Sequence, residues 1–189
     1  MNIILDRRVV ADSWLHIAEG EPLPATGNLI VPLSFWLQER NALAARVGRS
    51  GVWLTGADDP SRLDAVRDLA RMPLIAVEFT QFVDGRGYSI GRLLRERYAF
   101  SGQLRAFGDV LRDQIPYLVR CGFNAFVLKE GKSLEDALGA FDDFSDVYQN
   151  AVDQAAPYYR RRLGAVANMT KQRHPLRSIG STVAEIIHG

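Results

Sequence analysis

Short apolar runs alternate with longer amphipathic stretches along most of this chain. Ile3 to Leu5 and Val9 to Val10, separated by the polar Asp6-Arg7-Arg8, predict an N-terminal β-hairpin, with Trp14 to Ile17 continuing its second strand. Glu19 to Asn28 holds two prolines and two glycines and predicts a loop. Leu29 to Leu33 is then a compact apolar strand. Ser34 stands where a cap would open a helix from Phe35 to about Val47, closed by Gly48.

The unit recurs. Gly51 to Thr55 reads as a strand, Asp58-Asp59-Pro60 as an acidic cap with a first-turn proline, and Leu63, Val66, Leu69 and Ala70 as helical spacing. Leu74 to Phe79 is apolar enough for a strand buried on both faces. A glycine-spaced turn, Phe82 to Ser89, leads into a basic amphipathic helix from Ile90 to Tyr98. A strand from Gln103 to Phe107 follows, then a helix from Val110 to Arg120 ended by Gly122. Phe123 to Leu128 is a fifth strand, and Ser133, with Asp136 three residues on, opens a helix running to about Tyr148. The expected class is α/β: an N-terminal β-hairpin, then five βα units on a mainly parallel sheet, open or curled into part of a barrel. Residues 1–149 form the expected domain. Residues 150–189 read as an appended, partly helical tail, basic at Tyr158 to Arg162 and Lys171 to His174, with a short apolar stretch from Val183 to Ile187.

In a parallel sheet, ligands sit beyond the carboxyl ends of the strands. There the pattern places Glu78, Asp84, Arg86, Asp109 and Lys129, with Glu130 beside the last. One reading is a site in which Arg86 and Lys129 hold an anion while Glu78, Asp84 or Asp109 moves a proton. The other is structural, with Asp109 capping the next helix and Arg86 pairing with Asp84. Ser89 and the amides near it can cradle a phosphate, sulfate or sulfite at a helix N-terminus, or the glycines around it can serve turn geometry alone. The glycines miss the dinucleotide spacing by one place, so a nucleotide fingerprint is not met. Arg92 and Arg95 share one surface of the basic helix, which is either a docking face for an acidic partner or a solvated one.

Composition narrows the classes. The 189 residues include 23 Lys and Arg against 22 Asp and Glu, a net charge of +1, so no overall field draws in nucleic acid or an anionic membrane. The single cysteine, Cys121, excludes an internal disulfide and any self-contained iron–sulfur or cysteine-rich zinc site, and its place at a helix end predicts a core residue. His16, His174 and His188 are too scattered for a metal set or a triad, and Trp14, Trp36 and Trp53 read as core. The short apolar run at the N-terminus lacks the length of a signal peptide, and nothing reaches the roughly 20 apolar residues of a membrane span, so a cytoplasmic protein is expected. No nucleotide, metal or iron–sulfur motif stands in the chain, which leaves the cofactor unknown.

Several blocks together carry a resemblance: Val31 to Leu37, Gly51 to Leu54, Phe82 to Ser89, Arg92 to Tyr98, Gly108 to Gln114 and Arg120 to Phe126. In this order, over roughly residues 1 to 150, the chain resembles a bacterial family, domain of unknown function 934, whose members often carry an oxidoreductase label. The tail after Asn150 departs from that family's usual short ending. Members are commonly encoded beside assimilatory sulfite reductase, so the resemblance implies a role in cysteine biosynthesis, with sulfite reductase or its electron donor as partner. It supplies no catalytic residues. The expectation is therefore an accessory protein of sulfite reduction docking through Arg92, Arg95 and the charged rim. The alternatives are a small enzyme acting on an oxyanion or phosphorylated substrate, and a structural subunit assembling through its tail.

Overall fold

The parallel strands sit side by side in the order they are made. The structure, a computed structural model, describes residues 1–65, 69–81, 84–143, 150–154 and 160–161. Its strands are β1 (Asn2–Leu5), β2 (Arg8–Ala11), β3 (Trp14–His16), β4 (Asn28–Pro32), β5 (Ser50–Leu54), β6 (Leu74–Phe79), β7 (Gln103–Gly108) and β8 (Ala125–Phe126). They form one sheet in the order β2-β1-β8-β7-β6-β5-β4-β3. Neighbours from β3 to β8 run parallel, while β1 is antiparallel to both β8 and β2. The α/β class with a hairpin and a mainly parallel sheet is therefore the observed architecture. The helices are α1 (Leu33–Gln38), α2 (Arg40–Ala44), α3 (Ser61–Ala65), α4 (Arg86–Glu96), α5 (Ile115–Arg120) and α6 (Leu134–Gly139), with single 3-10 turns at Leu69–Arg71, Arg112–Gln114 and Ala140–Asp142.

The sheet is open and curled, a half-barrel. Seven gaps of ~4.8 Å would put the edges of a flat eight-stranded sheet roughly 34 Å apart. Yet β2 and β3, the two edges, are joined by Asp12 and Ser13 alone, three Cα steps or at most about 11 Å. Only strong curling satisfies both, and contacts across the hollow prove it: the rings of His16 on β3 and Phe107 on β7 lie 4.6 Å apart although three strands stand between them. This corrects the expectation that Trp14 to Ile17 would extend the second hairpin strand. The chain turns at Asp12, whose Oδ1 accepts the Trp14 amide at 3.1 Å, and starts a new strand at the far edge.

Side-chain alternation divides the core into two. Facing the helices, Ile4, Val52, Leu54, Ile75, Val77, Phe79, Leu104, Ala106 and Phe126 belong to the main cluster, with Leu94 of α4 and Leu118 of α5 against it. Inside the curl, Ile30, Leu74 and Ala76 pack with Trp14, Trp53 and Phe107.

Local departures have physical causes. The helix from Phe35 breaks at Glu39 into α1 and α2, and its N-cap is Pro32. Ser34 lies inside the first turn and donates to Glu19 Oε1 at 2.7 Å instead of capping. The segment from Val110 enters α5 through the 3-10 turn at Arg112–Gln114. Ser133 does cap α6, accepting the Asp136 amide at 3.1 Å, and Gly122, at φ +96°, follows α5. The helix α4 starts at Arg86, four residues before Ile90, because Gly87 and Gly91 serve packing. A Cβ on Gly87 would come 2.7 Å from the Phe79 ring, and one on Gly91 would lie within a bond length or two of the Phe123 ring. These glycines are helical and let α4 lie close on the sheet, so turn geometry is not their purpose. Val66, Phe82, the continuation of the last helix to Tyr148 and the tail from residue 162 onward, His174 and His188 included, lie outside the described residues. No helix among the described residues is long and apolar enough to cross a membrane.

Candidate functional site, the carboxyl rim and hollow of the curled sheet

Every parallel strand delivers its last residue to one end of the half-barrel. Glu78, the last residue but one of β6, lies between Val77 and Phe79, which face the helices, so its carboxylate turns inward with Ala76. Its direct neighbour across the ladder is Phe107 on β7. Burial beside this aromatic wall pushes the Glu78 pKa up, the direction that readies a carboxyl group to give or take a proton nearer neutrality.

The other rim charges lie on the lip and satisfy one another. Arg86 Nη2 and Nε donate to Asp84 Oδ2 and Oδ1 at 2.7 and 2.9 Å. That fork, joined by the Arg86 amide, holds the Asp84 carboxyl down at about 2. The pair rests against Gly56 in the loop after β5, where a Cβ would stand 3.1 Å from either side chain. Lys129 Nζ lies 2.8 Å from Asp109 Oδ1. Two backbone bonds set that second pair: the Asp109 amide to Phe79 O at 2.7 Å, and the Lys129 amide to Val110 O at 3.0 Å. Asp109 therefore serves Lys129; the 3-10 turn that follows is capped at Leu111.

Ser89, Arg92 and Arg95, further along α4, do not join the rim. Ser89 is in the second turn of α4, beside Arg92, Tyr88, Tyr117 and Arg120 on a small cleft of about 210 Å³. Arg92 is exposed and paired with Glu96 at 2.9 Å, one turn on. Arg95 is not a free cation of that surface. Its Nε donates to Gly122 O and its Nη1 to Phe100 O and Gly102 O at 2.9, 2.5 and 2.9 Å, tying the loop after α4 to the end of α5. Cys121 is buried, as a core residue should be, and burial pushes its thiol pKa up.

The hollow holds groups that strand patterning alone did not single out. Arg105, at the middle of β7, is fully buried. It meets Asp12 with two parallel bonds of 2.9 Å each, and the Gln103 amide, turned oxygen-first, accepts from its Nη2 and Nε at 3.2 and 3.3 Å. Above this pair, His16 lies on Phe107, whose other neighbour is Trp53 at 6.1 Å. The Trp53 indole donates to Ile17 O at 3.3 Å. Burial, and then the nearby Arg105 charge, lower the His16 pKa to about 4 against a smaller opposing effect of Asp12. The signal for these residues was an arginine inside an otherwise apolar strand. A buried guanidinium demands a buried carboxylate, and in the first 18 residues only Asp6 and Asp12 offer one.

Chemically, the arrangement offers one acid–base group at an aromatic mouth, Glu78, and two self-neutralised ion pairs on the lip. Among the described residues no three His, Cys, Asp or Glu side chains group to hold a metal ion. Comparison with curated proteins and with solved structures found no match. A family model, described as a bacterial protein of unknown function (DUF934), matches residues 51–159. The matched stretch runs from β5 through the rim, α4, the Arg105 strand and α6, more than half of the sequence, and the chain therefore belongs to the DUF934 family.

Proposed function

We propose that this protein is a cytoplasmic accessory protein of assimilatory sulfite reduction, which binds sulfite reductase or its electron donor and supports electron delivery. The observation that carries the non-catalytic half of this reading is the pairing on the rim. A small oxyanion arriving at Arg86 or Lys129 would have to displace Asp84 or Asp109, carboxylates already at hydrogen-bond distance. Cations neutralised in this way suit the polar border of an interface better than a substrate clamp. The sulfur assignment rests on the family resemblance and the genes its members accompany. Of Arg92 and Arg95, Arg92 is the one exposed for docking, since Arg95 is held by three carbonyls.

The test is growth of a deletion strain on different sulfur sources. Failure on sulfate and sulfite with rescue by sulfide or cysteine is expected. Normal growth on all of them would remove the pathway assignment.

A second reading is favoured by Glu78, the one rim carboxylate that is inward-facing and raised in pKa by burial. Here the protein is a small enzyme with Glu78 as its proton-transfer group. The same strain carrying Glu78→Gln separates the two. The accessory reading expects full growth on sulfite, because Gln keeps the shape; the enzymatic reading expects a loss as complete as the deletion, with the variant still folded and present at normal level.

A further inference from the structure

The opposite end of the sheet carries a second concavity, unrelated to the rim. A cleft of about 550 Å³ opens where the amino ends of β5 and β6 meet α1 and α2. Its polar walls come from three separate pieces of chain: Arg40 and Asn41 of α2, Arg49 with Ser50 at the start of β5, and Arg71 at the end of the Leu69–Arg71 turn. Trp36 of α1 supplies an aromatic wall. No carboxylate lines the cleft among the described residues.

We infer that this cleft is a binding site for a ligand bearing a diphosphate group. Arg49 and Arg71 bring positive charge to the hollow from different pieces of chain, and a cleft whose lining carries one sign of charge concentrates counter-ions. Folding them into one hollow is an arrangement that an anion relieves. The chemistry of the wall selects the anion. Arginine, asparagine and serine supply N–H and O–H donors, and the arginine fork matches phosphate oxygens two at a time. Arg49 already lies over the Trp14 ring, 5.2 Å from its centre. A guanidinium stacked on an aromatic face still directs its N–H groups outward in its own plane, so the stacking fixes the fork without consuming it. Arg46 behaves differently: it donates to Pro24 O and Gly27 O at 2.7 and 3.0 Å and braces the loop behind the cleft. The volume is within the roughly 300–1,000 Å³ of small-molecule sites and several times larger than one phosphate needs. A diphosphate spans the arginines, and the Trp36 wall leaves room for a ring attached to it.

Calorimetric titration of the full chain at low ionic strength with inorganic pyrophosphate, and separately with ADP, tests this. Saturable binding of one equivalent is expected, weakened about tenfold or more by Arg71→Ala and again by Arg49→Ala, and unchanged by Arg8→Ala on the distant hairpin. Arg49→Lys, which keeps the charge and loses the fork, should fall in between, and it covers the case in which removing the Trp14 contact unfolds the protein. Equal affinity for the two probes would mean that the diphosphate alone is read, and tighter ADP binding would assign Trp36 to the ring. Absence of saturable binding to the natural chain, or undiminished binding by folded Arg71→Ala and Arg49→Lys, would overturn the inference.

Discussion

Asp12→Ala is expected to destabilise the protein by about 3–5 kcal/mol, the usual cost of leaving a buried charge without its partner. The size follows from what the substitution strands. Arg105 is fully buried at the centre of β7, both of its Nη groups are committed to the Asp12 carboxylate at 2.9 Å, and Gln103 alone would remain to it. Asp12 is also the hinge between the two sheet edges, so its loss frees the turn that holds β3 in place. Urea unfolding of the natural and variant chains measures the difference. The pair need not be worth that much in itself: replacing both members with apolar residues, Asp12→Leu with Arg105→Met, should recover much of the stability, because the desolvation of two charges disappears with them. A loss below about 1 kcal/mol in the single variant would mean that water reaches Arg105 and that the hollow is not sealed.

Stability should also fall as the solution is acidified from pH 6.5 towards 4, through His16. Above pH 6.5 its ring is neutral in the folded and the unfolded chain alike. Below that value the unfolded chain gains a proton that the folded chain refuses until its own pKa near 4. Unfolding is thus favoured progressively across this window, and the penalty levels off below pH 4, where both states are protonated. A displacement from 6.5 to about 4 corresponds to about 3 kcal/mol in total. His16→Phe keeps a ring against Phe107 and removes the titration. Urea midpoints of this variant should decline less between pH 6.5 and 4 than those of the natural chain, and parallel declines would show that His16 is solvated. Carboxylates contribute to both curves alike, so the difference isolates the imidazole.

Much of the parallel sheet was legible because it is built from local repeats. The strands at Leu74–Phe79 and Gln103–Gly108 announce themselves by apolar runs, and the intervening helices by their 3.6-residue spacing and by Ser133 and Gly122 at their ends. Where the hairpin and Trp14–His16 would lie was not legible: β1 pairs with Ala125–Phe126, far along the chain, and although Trp14–His16 pairs with the nearby Asn28–Ile30, its place at the opposite edge from the hairpin follows from the curl of the whole sheet. That the ends of the parallel strands gather at one rim was legible, for in a parallel sheet they must coincide. The pairing of the rim charges was only one of two open readings, because it depends on backbone bonds such as Asp109 to Phe79 that no local pattern encodes. Arg95 illustrates the limit most simply. Its helical position is read from the sequence, but its long side chain reaches across to carbonyls at residues 100, 102 and 122, which become neighbours only after folding. The glycines of α4 misled for a related reason: their partners, Phe79 and Phe123, belong to other elements.

The two-residue link between the sheet's opposite edges also governs the order of events during synthesis. Of the sheet's strands the hairpin leaves the ribosome before the others, but the strand it pairs with, Ala125–Phe126, is the last of the eight. At about 5–20 residues per second, the hairpin waits roughly 6–24 seconds for that partner. During that interval the strands from β3 to β7 can add one after another, each beside its predecessor, while the apolar faces of Ile3 and Ile4 stay uncovered. Completion of the half-barrel is thus a late closure of high sequence separation, the slow kind of step in which chaperone binding, and aggregation where it fails, compete with folding.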